Sequence, residues 1–223
     1  MTDEPTLKLY AYWRSMAAYR VRVALAFKGV AVHEIPVDLD AGEQLSPAFL
    51  AVNAEGAVPA LIEPGQPALT QSMAILEYLE ERFPEPPLLP KGLRDRARVR
   101  SLAALIAGDT HPLIVPRVRN YLMTQAGFDA DAWRAWAVHW MTRGVSSMET
   151  RLAADPATGA FCHGDAVTIA DICLASLVAV AKVLRFEVSD YPTVARIVAR
   201  CEAIEAFERA SPMRQSGAPV QGA

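Results

Sequence analysis

The stretch Tyr10-Ala-Tyr-Trp-Arg-Ser-Met-Ala-Ala-Tyr-Arg-Val-Arg-Val-Ala-Leu25 sets Arg14 and Ser15 in the loop after a strand-like run and at the mouth of a helix. Unpaired backbone N–H groups and the helix dipole favour an anion at such a position. A thiolate is an anion of that kind. A free thiol, with a pKa near ~8.5, is only a few per cent ionised at neutral pH, and a helix N-terminus can bring that value to ~7.5 or below. The chain offers a hydroxyl there and no cysteine, so the thiol must come from a ligand. Ser15 taken alone also reads as an ordinary N-cap, and only the rest of the chain decides between the two.

The other reactive residue types point away from protein-borne nucleophiles and metals. Cys162, Cys173 and Cys201 form no Cys-x-x-Cys pair, and their odd number argues against a disulfide framework, so the cytosol is the expected compartment. His33, His111, His139 and His163 lack metal-ligand spacing, and no metal site is expected. With 52% hydrophobic and 21% charged residues and a net charge of −3, the 223-residue chain is of ordinary globular type, with no bulk positive charge to attract nucleic acid or anionic lipid. Any anion preference must be local. The acidic start, Met1 to Pro5, has neither the basic nor the apolar region of a secretion signal. The longest apolar stretch, Ile169 to Leu184, carries Asp171 and Lys182, is too short to span a bilayer comfortably, and reads as a buried helix.

Two different rhythms must position these groups. From Leu7 to about Phe83 strand-like and helix-like segments alternate. Leu7 to Tyr12 is a strand, Ala17 to Lys28 a helix ended by Gly29, and Ala31 to Asp38 a strand. A short helix near Pro47 to Val52, strands Val58 to Ile62 and Ala68-Leu69, and a helix from Gln71 to Arg82 complete the order β-α-β-α-β-β-α. The opening β-α-β obliges a parallel pair with a right-handed crossover, and the two late strands can form a hairpin around Pro64-Gly65-Gln66. That is the order of a thioredoxin-like fold. Phe83 to Gly92 then places four prolines in ten residues, which marks a domain boundary.

Beyond it the pattern is all helical: Leu93 to about Thr124, Ala130 to Ala154, Thr168 to Val183 and Thr193 to Phe207 carry apolar residues at three- and four-residue spacing. The expected domains are therefore residues 5–84, thioredoxin-like, and 93–211, a helical bundle. Thr168 and Asp171 have the spacing of a capping box, with Asp in place of the usual Glu. Trp133, Trp136 and Trp140 recur at helical spacing and read as packing, Arg20 and Arg22 as structural, and the tail after Pro212 as disordered.

Tyr12-Trp-Arg-Ser15, followed by Tyr19-Arg-Val-Arg-Val-Ala-Leu-Ala-Phe-Lys-Gly29, resembles the zeta-class glutathione transferase signature, in which Ser-Ser-Cys-Ser-Trp-Arg-Val-Arg-Ile-Ala-Leu opens the first helix. Ser15 matches its first serine, the principal thiolate-stabilising one, while Met16, Ala17 and Ala18 replace the rest of the Ser-Cys-Ser stretch. Three more segments match in order. Val58-Pro59 looks like the dipeptide with a cis-proline whose backbone pairs with the cysteinyl part of glutathione. Gln71-Ser72 opens the helix that faces the γ-glutamyl carboxylate, and Gln44 aligns with the glutamine near the glycyl end.

In the helical half, Asp109-Thr-His-Pro-Leu-Ile-Val-Pro-Arg-Val-Arg119 holds two prolines and implies a kink or break. The resemblance puts His111 near glutathione and substrate and matches Arg185 to an arginine associated with substrate; from its place in the break Arg117 or Arg119 could reach a carboxylate, and Arg14 is close to Ser15. Arginine suits a dicarboxylate because its planar fork can meet both carboxylate oxygens while staying charged.

The resemblance implies a cytoplasmic, homodimeric, glutathione-dependent cis–trans isomerase of maleylacetoacetate-type dicarboxylates. Maleylpyruvate isomerisation, conjugation or dehalogenation of small α-halo acids, and a non-catalytic glutathione-binding relative are the alternatives. No nucleic-acid or membrane partner is implied.

Overall fold

A computed structural model describes residues 7–219. They divide into two compact units, one running to Pro86 and taking in the segment from Glu205 onward, the other running from Pro87 to Ile204. The domain start expected at residue 5 lies outside the described residues.

The first unit is built on four strands, β1 (Leu7–Ala11), β2 (Val32–Pro36), β3 (Ala60–Ile62) and β4 (Leu69–Thr70), in the order β2-β1-β3-β4. β1 lies parallel to β2 and antiparallel to β3, and β3 lies antiparallel to β4. With helices α1 (Met16–Phe27), α2 (Pro47–Leu50) and α3 (Ser72–Arg82) this is the thioredoxin-like βαβαββα order that the sequence predicts. Pro64 and Gly65 occupy the centre of the β3–β4 turn, which the Gln66 N–H closes on the Glu63 carbonyl at 3.1 Å. Gly65 has φ +75°, the left-handed position that a proline-initiated turn of this type requires of its third residue.

α1 is buried nearly all round, from Met16 through Leu25, because it packs against both α3 and α9 (Glu205–Ala210). Its two internal arginines are tied down. Arg22 makes a two-bond pair with Glu34 of β2, at 2.8 and 2.5 Å, and also donates to the Tyr12 carbonyl. Lys28, just past the helix, donates its ammonium to Glu80 at 2.8 Å and to the carbonyls of Phe83 and Pro86 at 2.6 and 2.9 Å, which secures the end of α3. A buried ammonium is tolerable only with such a full set of acceptors.

The second unit contains α4 (Leu93–Ala104), α5 (Pro116–Gln125), α6 (Ala130–Ala154), α7 (Ile169–Val183) and α8 (Pro192–Glu202). Its core gathers Val99, Leu102, Ile106, Met141, Val145, Met148, Ile172, Leu177 and Ile197, all at most 1% exposed. α7 is the buried helix expected from its apolar run, and no helix among the described residues is long and apolar enough to cross a membrane. Asp171, fully buried, accepts from the N–H groups of Cys162 and Thr168 at 2.7 and 2.8 Å and from the Thr168 hydroxyl at 2.7 Å. The capping acid thus also anchors the loop before the helix.

Two expectations are corrected. The single helix read from Thr193 to Phe207 is two, α8 and α9, with Ala203 and Ile204 between them. No glycine or proline marks the turn; the chain leaves α8 because Ala206, Phe207 and Ala210 are buried in the first unit, beside α1. The tail after Pro212 is also more ordered than its composition suggests: Pro212–Arg214 form a 3-10 turn, and the Gln215 amide donates to the carbonyls of Arg209 and Ser211 at 2.6 and 2.9 Å. The last carbonyls of α9 have no intrahelical partner and this side chain supplies one. The tail beyond residue 219 lies outside the described residues.

Candidate active site

Ser15 is the N-cap of α1, in extended conformation (φ −73°, ψ 119°), and its Oγ accepts the Ala18 N–H at 3.2 Å. That bond uses one lone pair and leaves the hydroxyl proton for an acceptor outside the helix. The N–H groups of Met16 and Ala17, in the first turn, have no intrahelical acceptor. Hydroxyl, amides and dipole therefore converge on one anion position at the end of a helix whose body is immobilised by burial.

Strand register brings the other candidates to the same edge of the first unit. β1 runs into the Ser15 loop, and Tyr10 pairs with Ala60 while Ala60 pairs with Thr70. Val58 and Pro59, just before β3, and Gln71 and Ser72, just after β4, are thus neighbours of the end of β1. The Val58–Pro59 bond is cis, as expected. Gln44 lies in a 3-10 turn, Glu43–Leu45, that abuts Gly56: a Cβ there would meet the Gln44 carbonyl at 3.3 Å. The Gln44 Oε1 is buried and has no hydrogen-bond partner among the described residues.

Gln71 is the N-cap of α3 with φ +65° and ψ 108°, a conformation costing a non-glycine residue about 1–3 kcal/mol. Its side-chain amide is held by Glu55 at 2.5 Å. Ser72 is buried and its hydroxyl accepts from Arg20 at 3.2 Å, so a guanidinium stands behind the first turn of α3. Arg20 is structural, as read, but it also places positive charge where an anion would meet that helix.

Arg14 is joined to a residue that the sequence reading overlooked. Its Nη2 donates to both carboxylate oxygens of Asp40, at 2.7 and 2.9 Å, and its guanidinium lies 5.6 and 5.5 Å from the ring centres of Tyr12 and Trp13. The Tyr12 hydroxyl donates to the same carboxylate. Burial, followed by that hydrogen bond, pushes the Tyr12 pKa up to about 12, against the opposing charge of Arg14. Tyr12 is therefore a neutral donor at ordinary pH and no base. Asp40 sits in a Val-Asp-Leu-Asp-Ala-Gly run, one acidic residue among several, so only the fold singles it out.

In the second unit the predicted helix break is present. α4 passes into a π-helical turn, Leu105–Thr110, then a 3-10 turn, His111–Ile114, and an extended Val115 before α5. Pro116 has no N–H to close on the Leu113 carbonyl, and the Trp136 indole of α6 supplies the missing donor at 2.8 Å. Gly144 lets the π-turn approach α6: a Cβ there would come within 2.7 Å of Thr110 Cγ2. His111 is thereby held half-buried at the start of the 3-10 turn. Arg117 is exposed, whereas Arg119 is half-buried, with an Nε that is shielded and has no partner among the described residues.

Arg185 follows α7 with φ +57°. The Phe186 N–H bonds the Ala181 carbonyl at 2.9 Å and the Arg185 N–H that of Lys182 at 3.1 Å, a helix ending that normally takes glycine. An exposed arginine there is kept at a conformational cost. The three cysteines are free and buried, and burial pushes the thiols of Cys162 and Cys201 well up, so they are poor nucleophiles. Among the described residues no group of His, Cys, Asp or Glu could hold a metal ion.

A thioredoxin-like sheet with a serine N-cap on its first helix, followed along the chain by an all-helical unit, defines a protein of the glutathione transferase fold. Residues 5–81 match the family model for the glutathione S-transferase N-terminal domain. The chain is 40% identical over 209 residues to maleylpyruvate isomerase of a Ralstonia species, covering 94% of this chain and 98% of the relative. It superposes with a TM-score of 0.93 and 50% identity on maleylacetoacetate isomerase of Methylobacterium extorquens AM1, solved with malonate and glutathione, covering 95% of this chain and 99% of that one. A maleylacetoacetate isomerase of Anaeromyxobacter dehalogenans, solved with dicarboxyethyl glutathione and citrate, gives a TM-score of 0.82 at 42% identity over 96% of this chain and 98% of that one. The chain belongs to the zeta-class glutathione transferase and maleylacetoacetate isomerase family, whose members are glutathione-dependent isomerases.

Proposed function

We propose that the protein is a glutathione-dependent cis–trans isomerase of maleylacetoacetate-type dicarboxylates. The observation that carries the proposal is the Ser15 hydroxyl at the N-terminus of a buried helix, on the sheet edge shared with Val58, Pro59, Gln71 and Ser72. The residues present fit glutathione: the buried Gln44 Oε1 has no partner among the described residues, as a ligand-binding amide would. Glutathione supplies a thiolate that adds reversibly to the cis double bond, so that rotation about a single bond precedes its departure.

The chain's own part is electrostatic. Ser15 donates its hydroxyl proton to the sulfur anion, and the Met16 and Ala17 N–H groups add their dipoles. Val58 offers its backbone to the cysteinyl portion, while the strained Gln71 and the Ser72 N–H receive the γ-glutamyl carboxylate with Arg20 behind them. Arg14 pairs with a substrate carboxylate; in the helical unit Arg119 and Arg185 are proposed for the same chemistry, Arg117 being the exposed alternative, and His111 as a hydrogen-bonding group toward glutathione and substrate. No protein nucleophile takes part, in keeping with the buried cysteines.

The same site suits maleylpyruvate, the second reading, and the Ralstonia relative carries that name. Offering each substrate with a trace of glutathione separates the readings. Turnover without loss of thiol supports isomerisation, and the better substrate names it. Stoichiometric thioether or halide release, or glutathione affinity with no turnover at all, would sink the proposal. A cytoplasmic location and a homodimer are proposed with it; light scattering that returned the 24.2 kDa of one chain would oppose the dimer.

A further inference from the structure

We propose that Asp40 is a positioning residue that sets Arg14 as a carboxylate receptor beside Ser15. The inference rests on the isomerase reading, since it gives Arg14 a substrate carboxylate to meet. Asp40 uses only one nitrogen of the guanidinium: both of its oxygens bond Nη2, at 2.7 and 2.9 Å. The Nε–H and Nη1 hydrogens stand outside that ion pair; they diverge in the guanidinium plane, so a second carboxylate meets one of them through a single charge-assisted hydrogen bond while Asp40 holds the other end of the group. Meanwhile the Tyr12 and Trp13 rings, 5.6 and 5.5 Å from the guanidinium carbon, restrict its swing.

Asp40 is itself held. Its N–H and that of Ala41 donate to Asp38 Oδ1 at 2.9 and 3.1 Å, and the Asp38 N–H donates to Glu43 Oε2 at 2.7 Å. The loop is tied to the end of β1 where the Val37 N–H meets the Ala11 carbonyl at 2.8 Å. Receptor and clamp therefore spring from the adjacent ends of the two parallel strands. The side chains of Arg14 and Asp40 are 33% and 59% exposed, and an ion pair so wet contributes little to stability. What it does provide is orientation, one residue away from the thiolate position.

The test is maleate binding by calorimetry in the presence of glutathione, together with isomerase turnover, for the full-length protein and its Asp40→Asn, Arg14→Lys and doubly substituted variants. Asp40→Asn is expected to weaken maleate binding and raise the substrate KM by roughly tenfold, with the glutathione KM and Tm unchanged, and to add almost nothing once Arg14 is lysine. Unchanged maleate affinity, full additivity with Arg14→Lys, or equal losses of glutathione affinity and Tm would each overturn the positioning role. So would a wild-type protein that binds no maleate. If wild type turned over no dicarboxylate yet bound maleate in an Asp40-dependent way, the isomerase reading would fail and the clamp would stand.

Discussion

The Oγ of Ser15 accepts the backbone N–H of Ala18 at 3.2 Å, so the serine caps its helix and still has a proton to give. The two roles separate in a variant. Ser15→Ala is expected to cost about 1 kcal/mol of stability, the ordinary loss of a cap. Turnover should fall on the order of 10²-fold, as for removal of one donor to a reacting anion. Chemical denaturation and steady-state kinetics on the same preparation check both; equal, small effects on each would reduce Ser15 to a cap.

Arg185 is the converse case, a residue whose backbone conformation opposes stability. Because its φ of +57° suits glycine, Arg185→Gly should leave the protein as stable as before or up to about 1 kcal/mol more so. The kcat/KM for a dicarboxylate should drop by roughly tenfold or more if the guanidinium meets a carboxylate. A thermal melt and a substrate titration are sufficient, and a destabilised variant with intact kinetics would reverse the interpretation.

Gly144 sets how closely α6 can approach the π-turn before His111. The Cβ of Gly144→Ala would meet Thr110 Oγ1 first and Thr110 Cγ2 at 2.7 Å, and Thr110 is buried, so the turn must shift. A loss of about 1–3 kcal/mol is expected, with a change in KM because the shift is transmitted to His111. Gly144→Ala should cost less in a Thr110→Ala background, which lacks both Oγ1 and Cγ2; if it costs as much there as in wild type, the crowding lies elsewhere.

The Tyr12 hydroxyl titrates at about 12 in the folded chain against 10.0 for a free tyrosine. The folded state then holds this proton more tightly, so its contribution to stability is complete below pH 10 and is lost as the pH rises toward 12. Denaturant midpoints between pH 9 and 12 should decline less steeply for Tyr12→Phe than for wild type. Parallel curves would mean that the hydroxyl is not so constrained.

The sequence shows the fold more fully than the site. The thioredoxin-like order and the break before α5 follow from periodicity and from residues that have only one conformational use. The α8–α9 turn is silent because Ala203 and Ile204 resemble any helical pair, and only the placement of Phe207 beside α1 explains it. Ser15 and Gln71-Ser72 are legible as helix starts because such starts have local signatures. Asp40 and Glu55 act through partners 26 and 16 residues away, a relation that exists only after β1, β2 and β4 are assembled. Gly144 is likewise one small residue in a long helix until Thr110 is seen against it.

Isomerisation by this route depends above all on a ligand thiol being ionised at the mouth of α1, and thiolate absorbance of bound glutathione, followed through a pH titration, measures that directly. Wild-type protein is predicted to ionise the bound thiol at about 7.5 or below, and Ser15→Ala to return it toward ~8.5. A bound thiol that titrated near ~8.5 in the wild type, or a lowered value untouched by Ser15→Ala, would contradict the role assigned to Ser15.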